Sequence, residues 1–145
     1  MNTQKDITRL NTLFEIAKDL DPAGHAKLVA AIYIKNELIA VGWNQFRTSP
    51  LAAKYGKNDK AIYLHAEIHA IKQALRQVSV DQLARGKTTL YICRAKKLAP
   101  GGKFVWGLSK PCIGCLRAII DFGIKRVVYS LDEIEEGGKK YDELP

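Results

Sequence analysis

The sequence contains little cysteine, no long apolar run and fewer acidic than basic residues. Only 3 of its 145 residues are cysteine, which is too few for the disulfide framework of a small secreted protein. No stretch approaches the roughly 18 consecutive apolar residues that cross a bilayer, so no membrane partner is expected. The first residues lack the charged and then apolar order of a secretory signal. These absences favour a reducing compartment and predict a cytoplasmic protein.

The excess of positive charge is the next feature of the composition. Lysine and arginine number 23 against 15 acidic residues, and the formal net charge is +8. A charge of this sign favours anionic partners, either nucleotides or polynucleotides. It does not distinguish between these two classes, and a similar excess on other proteins serves only solubility.

The length of the chain predicts one domain. With 145 residues, 47% of them hydrophobic, the chain is long enough to bury its own core. We therefore expect a single domain over residues 1–145. The acidic tail 131–145 is expected to be peripheral and to form a last helix that frays.

Helical and extended patterns alternate along the chain. The predicted helices are 6–20, 65–78 and 112–122, the last ended by Gly123. The predicted strands are 27–35, 38–43, 88–94 and 125–130, with the first two joined as a hairpin. Residues 44–62 are predicted to be a long loop with one helical turn, and 96–110 an extended excursion or small hairpin. This order predicts an α/β fold with a mixed central sheet and helices on both faces.

Two short motifs stand at the predicted starts of the second and third helices. They are His65-Ala66-Glu67 and Pro111-Cys112-Ile113-Gly114-Cys115. His65, Cys112 and Cys115 supply nitrogen and sulfur ligands for zinc, and three protein ligands leave the fourth tetrahedral position for water, as in catalytic zinc sites. Glu67 need not bind the metal and is the candidate catalytic acid and base.

The helical placement of the motifs favours convergence on one metal. Side chains in the first turn of a helix lean toward its N-terminus, so His65 and Glu67 can reach one point beyond that end. Cys112 and Cys115 are three positions apart and share a helix face. The helix dipole also stabilises their thiolates. His69 is expected to be a packing or supporting residue, and Cys93 a small core residue.

Together the motifs match the signature of zinc-dependent nucleobase deaminases. The chain resembles the cytidine and deoxycytidylate deaminase superfamily over most of residues 6–130. It is most similar to small phage-type deoxycytidylate deaminases, which share the stretches around Leu64-His65-Ala66-Glu67-Ile68 and Lys110-Pro111-Cys112-Ile113-Gly114-Cys115. The resemblance implies the three-layer cytidine-deaminase-like fold, one zinc ion per chain and a homo-oligomer, since family members range from dimers to hexamers.

The resemblance also implies substrate contacts. Gly42-Trp43-Asn44 is similar to a Gly-aromatic-Asn segment whose asparagine contacts the nucleoside, although Asn44 could simply end a strand. Ala66 resembles the position whose backbone hydrogen-bonds the base, and Ser109 resembles a residue near the base edge. Tyr129 is similar to an aromatic residue that lines the pocket, and a buried core tyrosine fits it equally well.

The chain departs from the family in two places. His65 and Cys112 are 47 positions apart, which is wide for the superfamily, and the excess lies in residues 96–110. The loop after Asn44 is also long, and it lacks the additional Cys and His that form a second, structural zinc site in some deoxycytidylate deaminases.

Four functions fit these observations. The favoured one is deamination of a free nucleotide, dCMP to dUMP, with the 5′-phosphate bound by loop cations. The candidate cations are Arg47, Lys54, Lys57 and Lys60. The second is deamination of bases in RNA or single-stranded DNA, cytosine or tRNA adenosine, with exposed aromatic residues such as Trp43 or Trp106 as stacking platforms.

The third function is deamination of a free nucleoside or base, which does not use the loop cations. The fourth is a zinc-stabilised binding module without catalysis. Glu67 argues against the module, because a structural zinc site does not need an unligated acid beside an open position.

Overall fold

The computed structural model describes residues 3–20, 27–45, 50–55, 65–97, 99–133 and 140–144. The helices are α1 (Thr3–Lys18), α2 (Pro50–Tyr55), α3 (Ala66–Ala74), α4 (Val80–Arg85) and α5 (Ile113–Asp121). The strands are β1 (Lys27–Ile34), β2 (Glu37–Trp43), β3 (Thr88–Lys97), β4 (Phe104–Gly107), β5 (Arg126–Ser130) and β6 (Tyr141–Glu143). None of the helices within these ranges combines the length and the apolar character needed to cross a membrane.

The strands form one mixed sheet in the order β2-β1-β3-β5-β6. β3 is antiparallel to β1 and parallel to β5. β1 pairs with residues 88–95 of β3, whereas β5 pairs with residues 89–92 and β4 with residues 94–97. A strand has two edges, so β4 continues the edge of β3 beyond the point where β5 leaves it.

The sheet is covered on both faces. Inward side chains alternate along β3: Leu90 and Ile92 belong to the core under α3 and α5, while Tyr91 and Cys93 pack with Leu10 of α1 on the other face. This is the predicted three-layer arrangement, and the period-2 alternation of strand side chains produces it.

Several predicted elements are confirmed, and the structure differs from the prediction at three points. The hairpin 27–43, the helices at 66–74 and 113–121 and the small hairpin formed by β3 and β4 agree with prediction. The last helix predicted for the tail is wrong where the structure describes it, because residues 141–143 pair with the edge of β5 as β6. α4 was not predicted. Trp106, predicted to be exposed, is 6% exposed in the core beneath α1.

Candidate active site

Two helix N-termini bring the predicted metal ligands together. His65 is the N-cap of α3 and Cys112 is the N-cap of α5, so both residues stand where backbone N–H groups are unpaired and negative charge is favoured. Cys115 follows in the first turn of α5 and is 2% exposed. Its backbone N–H points at Cys112 Sγ at 3.5 Å.

The three donor atoms fit a tetrahedral zinc ion. The ligand atoms of His65, Cys112 and Cys115 all lie within 4.8 Å of one another. His65 Nδ1 is 3.3 Å from Cys115 Sγ and 3.7 Å from Cys112 Sγ. Zinc bonds of about 2.3 Å to sulfur and about 2.0 Å to nitrogen, at tetrahedral angles, place such donors about 3.5 Å apart. The cluster therefore has the size and the donor chemistry that zinc requires.

The two cysteines differ in acidity. The Cys115 thiol and the His65 ring donate hydrogen bonds to Cys112, and these lower the pKa of Cys112 to about 3. The same hydrogen bond to Cys112, together with burial, raises the pKa of Cys115. The lowered pKa of Cys112 favours its thiolate, and metal binding releases any remaining thiol proton because zinc binds the thiolate form.

Glu67 lies beside the donors but is not part of the three-donor cluster. It is the second residue of α3 and is 5% exposed. Burial raises the pKa of Glu67 above its usual value, while a backbone hydrogen bond and the charge of His65 act in the opposite direction. A carboxyl with a raised pKa is a better proton acceptor than an ordinary one and can return the proton it takes up.

A cleft of about 270 Å³ opens beside the donors. Its described walls contain Leu28, Asn44, His65, Glu67, Arg94, Leu108, Ser109, Lys110 and Cys112. Asn44 and Ser109, two of the predicted substrate contacts, therefore lie in the same cleft as the metal ligands.

Both of these residues also have structural partners. Asn44 Oδ1 accepts a hydrogen bond from the backbone N–H of Leu28 at 3.0 Å, so the side chain joins the end of β2 to the start of β1. The Ser109 hydroxyl accepts from the backbone N–H of Ser130 at 2.8 Å and contacts the carbonyl of Ile92 at 3.0 Å. These bonds fix the positions of Asn44 and Ser109 at the cleft wall.

The other predicted substrate contacts are placed differently. Ala66 is fully buried at the first position of α3. Tyr129 is 6% exposed in the core with Ile92, and it is not among the described residues that line the cleft. Of the loop cations, Lys54 is exposed on α2, and Arg47, Lys57 and Lys60 lie outside the described residues.

His69 supports the segment that leads to Asn44. Its ring is 4% exposed, and Nδ1 accepts a hydrogen bond from the backbone N–H of Trp43 at 3.1 Å. The Trp43 ring meets it edge-on, with centroids 4.5 Å apart. The prediction of a supporting role is confirmed, and so is that of Cys93 as a core residue, because Cys93 is fully buried.

Arg94 and Lys110 are cleft residues that the sequence analysis missed. Arg94 follows Leu90 and Ile92 on one face of β3. A charged residue at the end of an inward-facing apolar series was the available signal, since strand alternation places it on the face of the metal ligands.

Solved structures share this fold. The dCMP deaminase of cyanophage S-TIM5 superposes with a TM-score of 0.59 at 18% identity, covering 92% of this chain and 87% of the phage protein. The same enzyme in complex with dCMP and dUMP gives 0.58 at 18% identity, covering 90% and 84%. The guanine deaminase of Bacillus subtilis gives 0.54 at 24% identity, covering 90% and 65%. A tRNA:A34 deaminase gives 0.52 at 20% identity, covering 87% and 77%.

The family assignment rests on the sequence match. No curated protein sequence matches the chain significantly. Residues 3–131 match the family described as the cytidine and deoxycytidylate deaminase zinc-binding region. Because this region binds zinc and His65, Cys112 and Cys115 stand together as a zinc donor set, the cofactor of the site is zinc. The chain belongs to the cytidine and deoxycytidylate deaminase family of zinc-dependent hydrolases.

Proposed function

We propose that the protein deaminates a cytosine nucleotide, converting dCMP and water to dUMP and ammonia. The main support is the position of Glu67, which is buried at the cleft beside the three zinc donors without being needed as a fourth ligand. Three protein ligands leave room for water at the metal, and an unligated acid next to that position is what a hydrolytic site needs.

The reaction moves both protons of one water molecule. The first leaves as the water oxygen adds to C4 of cytosine and is delivered to N3. The second leaves the new hydroxyl and goes to the amine, so that ammonia departs as C4 becomes a carbonyl. Glu67 can accept the first proton and deliver it, because burial raises the pKa of its carboxyl. Zinc bound by His65, Cys112 and Cys115 would lower the pKa of a water molecule far below its value in bulk water, to about 7, and so make it a nucleophile at neutral pH.

The remaining roles complete the proposal. Asn44 and Ser109 would contact the nucleoside from the cleft wall. The backbone of Ala66, at the start of α3, would hydrogen-bond the base. Tyr129 would support the pocket from behind by packing in the core, since its side chain is buried. Arg47, outside the described residues, remains a candidate for the 5′-phosphate.

A second candidate is deamination of bases within RNA or single-stranded DNA. The net charge of +8 favours a polyanionic substrate. Trp43, 37% exposed and adjacent to Asn44, could stack on a base. The solved neighbours act on dCMP, on guanine and on tRNA, so the shared fold is compatible with more than one substrate class.

The deciding assay measures ammonia release by the zinc-loaded protein from dCMP, deoxycytidine and a cytosine-containing oligonucleotide in parallel. The proposal predicts the highest kcat/KM for dCMP. Turnover of the oligonucleotide alone, falling steeply with salt, would support the polynucleotide alternative instead. Turnover of deoxycytidine alone would identify a nucleoside deaminase.

The proposal extends to the state of the protein in the cell. Cys112 and Cys115 must stay reduced to bind zinc, which is consistent with a cytoplasmic enzyme. Ile113 and Ile120 of α5 are each 67% exposed, and apolar surface of this kind favours a homo-oligomer. Sedimentation of the zinc-loaded protein across a concentration series would measure the oligomeric state.

A further inference from the structure

Arg94 lies on the same face of β3 as two buried apolar residues, at the point where this face reaches the cleft. Leu90 and Ile92 on this face are fully buried in the core under α3 and α5. Arg94 is half-buried and lines the cleft together with His65 and Cys112. A guanidinium at the inner end of an apolar strand face is costly unless an acceptor or an anion compensates it.

The guanidinium is only partly compensated within the described part of the chain. No described residue accepts a hydrogen bond from its buried Nε. Asp132 is close enough for the charge of Arg94 to contribute to its lowered pKa, but this carboxylate contacts Lys96 Nζ at 2.6 Å and the backbone N–H of Leu108 at 2.9 Å. Both of these contacts are made by Asp132 Oδ1, so one oxygen of this carboxylate is already committed to other donors.

The absence of a side chain at Gly107 leaves room for the side chain of Arg94. The two residues are opposite each other in the β3–β4 register. A Cβ at position 107 would lie 3.0 Å from Arg94 Cδ and 3.2 Å from Arg94 Cγ, closer than the optimum of about 3.5 to 4.0 Å for carbon atoms. Because Gly107 has no side chain, the methylenes of Arg94 can cross β4.

Hydrogen bonds fix the backbone at the same place. The Arg94 N–H donates to Ser130 Oγ at 3.1 Å, and the Ser130 hydroxyl donates to the carbonyl of Gly107 at 2.6 Å. These bonds join β3, β4 and β5 beneath the cleft. Arg94 is thus presented from a rigid junction rather than from a mobile loop.

The described walls of the cleft carry more positive than negative charge. Arg94 and Lys110 are their cations, and Glu67 is their carboxyl group. Two thiolates balance the charge of a divalent zinc ion, so a loaded metal site adds none. A net positive cleft favours an anionic ligand, and the planar guanidinium fork matches the oxygens of a phosphate group.

We propose that Arg94 binds a phosphate group of the substrate, so that the cleft selects nucleotides over nucleosides. The identity of the base rests on the proposed dCMP deamination, whereas the phosphate contact rests on Arg94. The proposal also gives a purpose to the wide spacing of 47 positions between His65 and Cys112. The β3–β4 hairpin within that spacing carries Gly107 opposite Arg94, and Lys110 follows it.

The first test compares dCMP with deoxycytidine as substrates of zinc-loaded wild type, Arg94→Gln and Arg94→Lys. Wild type should prefer dCMP. Arg94→Gln should lose about 10- to 150-fold in kcat/KM for dCMP, the range for a hydrogen bond to a charged group, and change less than about threefold for deoxycytidine. The kcat/KM of Arg94→Lys for dCMP should lie between those of wild type and Arg94→Gln, because lysine keeps the positive charge but lacks the planar guanidinium group.

Lys97→Gln is the matched control. It removes the same charge from the same strand, but Lys97 is exposed and lies over the Phe104 ring at 4.8 Å. The ratio of kcat/KM for dCMP to that for deoxycytidine should not change in this variant. Equal losses of Arg94→Gln on both substrates would mean a structural role, and no loss on dCMP would also overturn the proposal.

A binding experiment separates this proposal from the proposed function. In the zinc-loaded Glu67→Ala background, calorimetry would compare 5′-monophosphates of cytosine, adenine and guanine deoxynucleosides with the nucleosides themselves. At least one monophosphate should bind more tightly than its nucleoside, and adding Arg94→Gln should abolish the difference, whichever base is preferred. If no monophosphate binds more tightly, Arg94 does not bind phosphate.

A short cytosine-containing oligonucleotide identifies the source of the phosphate. If Arg94 binds a terminal phosphate, Arg94→Gln should weaken dCMP and leave oligonucleotide turnover unchanged. If Arg94→Gln lowered turnover of the oligonucleotide but not of dCMP, the proposal that Arg94 binds the phosphate of a free nucleotide would be overturned. Absence of ammonia from every cytosine substrate would refute the proposed function and leave the binding comparison to decide the role of Arg94.

Discussion

Gly42→Ala should disrupt the contact that positions the active-site helix. A Cβ at position 42 would press against the backbone nitrogen of Ala70 and lie 2.7 Å from the carbonyl oxygen of Ala66 and 2.8 Å from Ala70 Cα. In an α-helix this nitrogen and this oxygen are hydrogen-bonded partners. The new methyl would therefore push on the second backbone hydrogen bond of α3, next to the one that joins His69 N–H to the carbonyl of His65.

The size of the effect follows from these distances. Carbon contacts are optimal at about 3.5 to 4.0 Å, so β2 and α3 must separate by about 1 Å. Overpacking a core typically costs about 1 to 3 kcal/mol, and we expect about 3 kcal/mol or more because the atoms that clash belong to the backbone. A displacement of about 1 Å at catalytic groups can cost about 100-fold in rate.

Urea unfolding and steady-state ammonia release from dCMP would measure the two effects. Gly101→Ala is the control, because nothing lies within 4 Å of a Cβ at this position. Its φ of 76° is unfavourable for alanine, so this substitution should lower the free energy of unfolding by about 1 kcal/mol. It should leave turnover unchanged. If Gly42→Ala were as stable as Gly101→Ala and equally active, the close packing of β2 on α3 would not position the site.

Two further predictions concern an ion pair and the metal. Asp6→Asn should lower the free energy of unfolding by about 2 to 3 kcal/mol, because Asp6 is buried and Arg126 contacts both its oxygens at 3.0 and 2.6 Å; the exposed Asp81→Asn should cost at most about 0.5 kcal/mol. Burial acts to raise the pKa of Asp6, but hydrogen bonds, chiefly from Arg126, bring it below its usual value, so the stabilisation exists above about pH 4 and is lost as the pH falls through the lowered pKa. Urea unfolding from pH 2 to 7 should show that loss in wild type and not in Asp6→Asn. Cys115→Ser should bind zinc much more weakly by metal analysis after dialysis, while the buried Cys93→Ala keeps one ion per chain; equal zinc contents would refute the donor set.

The main elements could be predicted because their sequence patterns are long. The helix that starts at Ala66 and the one that starts at Ile113 carry several apolar residues at helical spacing and bury them in the core. The motif residues could be predicted to converge because both motifs stand at helix starts. Their donor types and spacing also agreed with a known signature.

Elements that depend on tertiary contacts were not predictable in the same way. α4 has six residues and buries only Leu83, so it shows no apolar period, although its capping box of Ser79 and Gln82 was a usable local signal. The three residues of β6 are too few to show alternation, and their pairing depends on the free edge of β5. The burial of Trp106 and the entry of Arg94 into the cleft both depend on how β4 pairs with β3.

The most direct test of the catalytic assignment is the Glu67→Gln variant, assayed for zinc content and ammonia release together. The substitution keeps the shape of the side chain and removes its ability to accept a proton. We predict one zinc ion per chain, as in wild type, and a rate of ammonia release from dCMP lower by at least about 100- to 10,000-fold. Turnover within a few fold of wild type would contradict the role of Glu67 as the proton carrier, and loss of zinc would contradict its position outside the donor set.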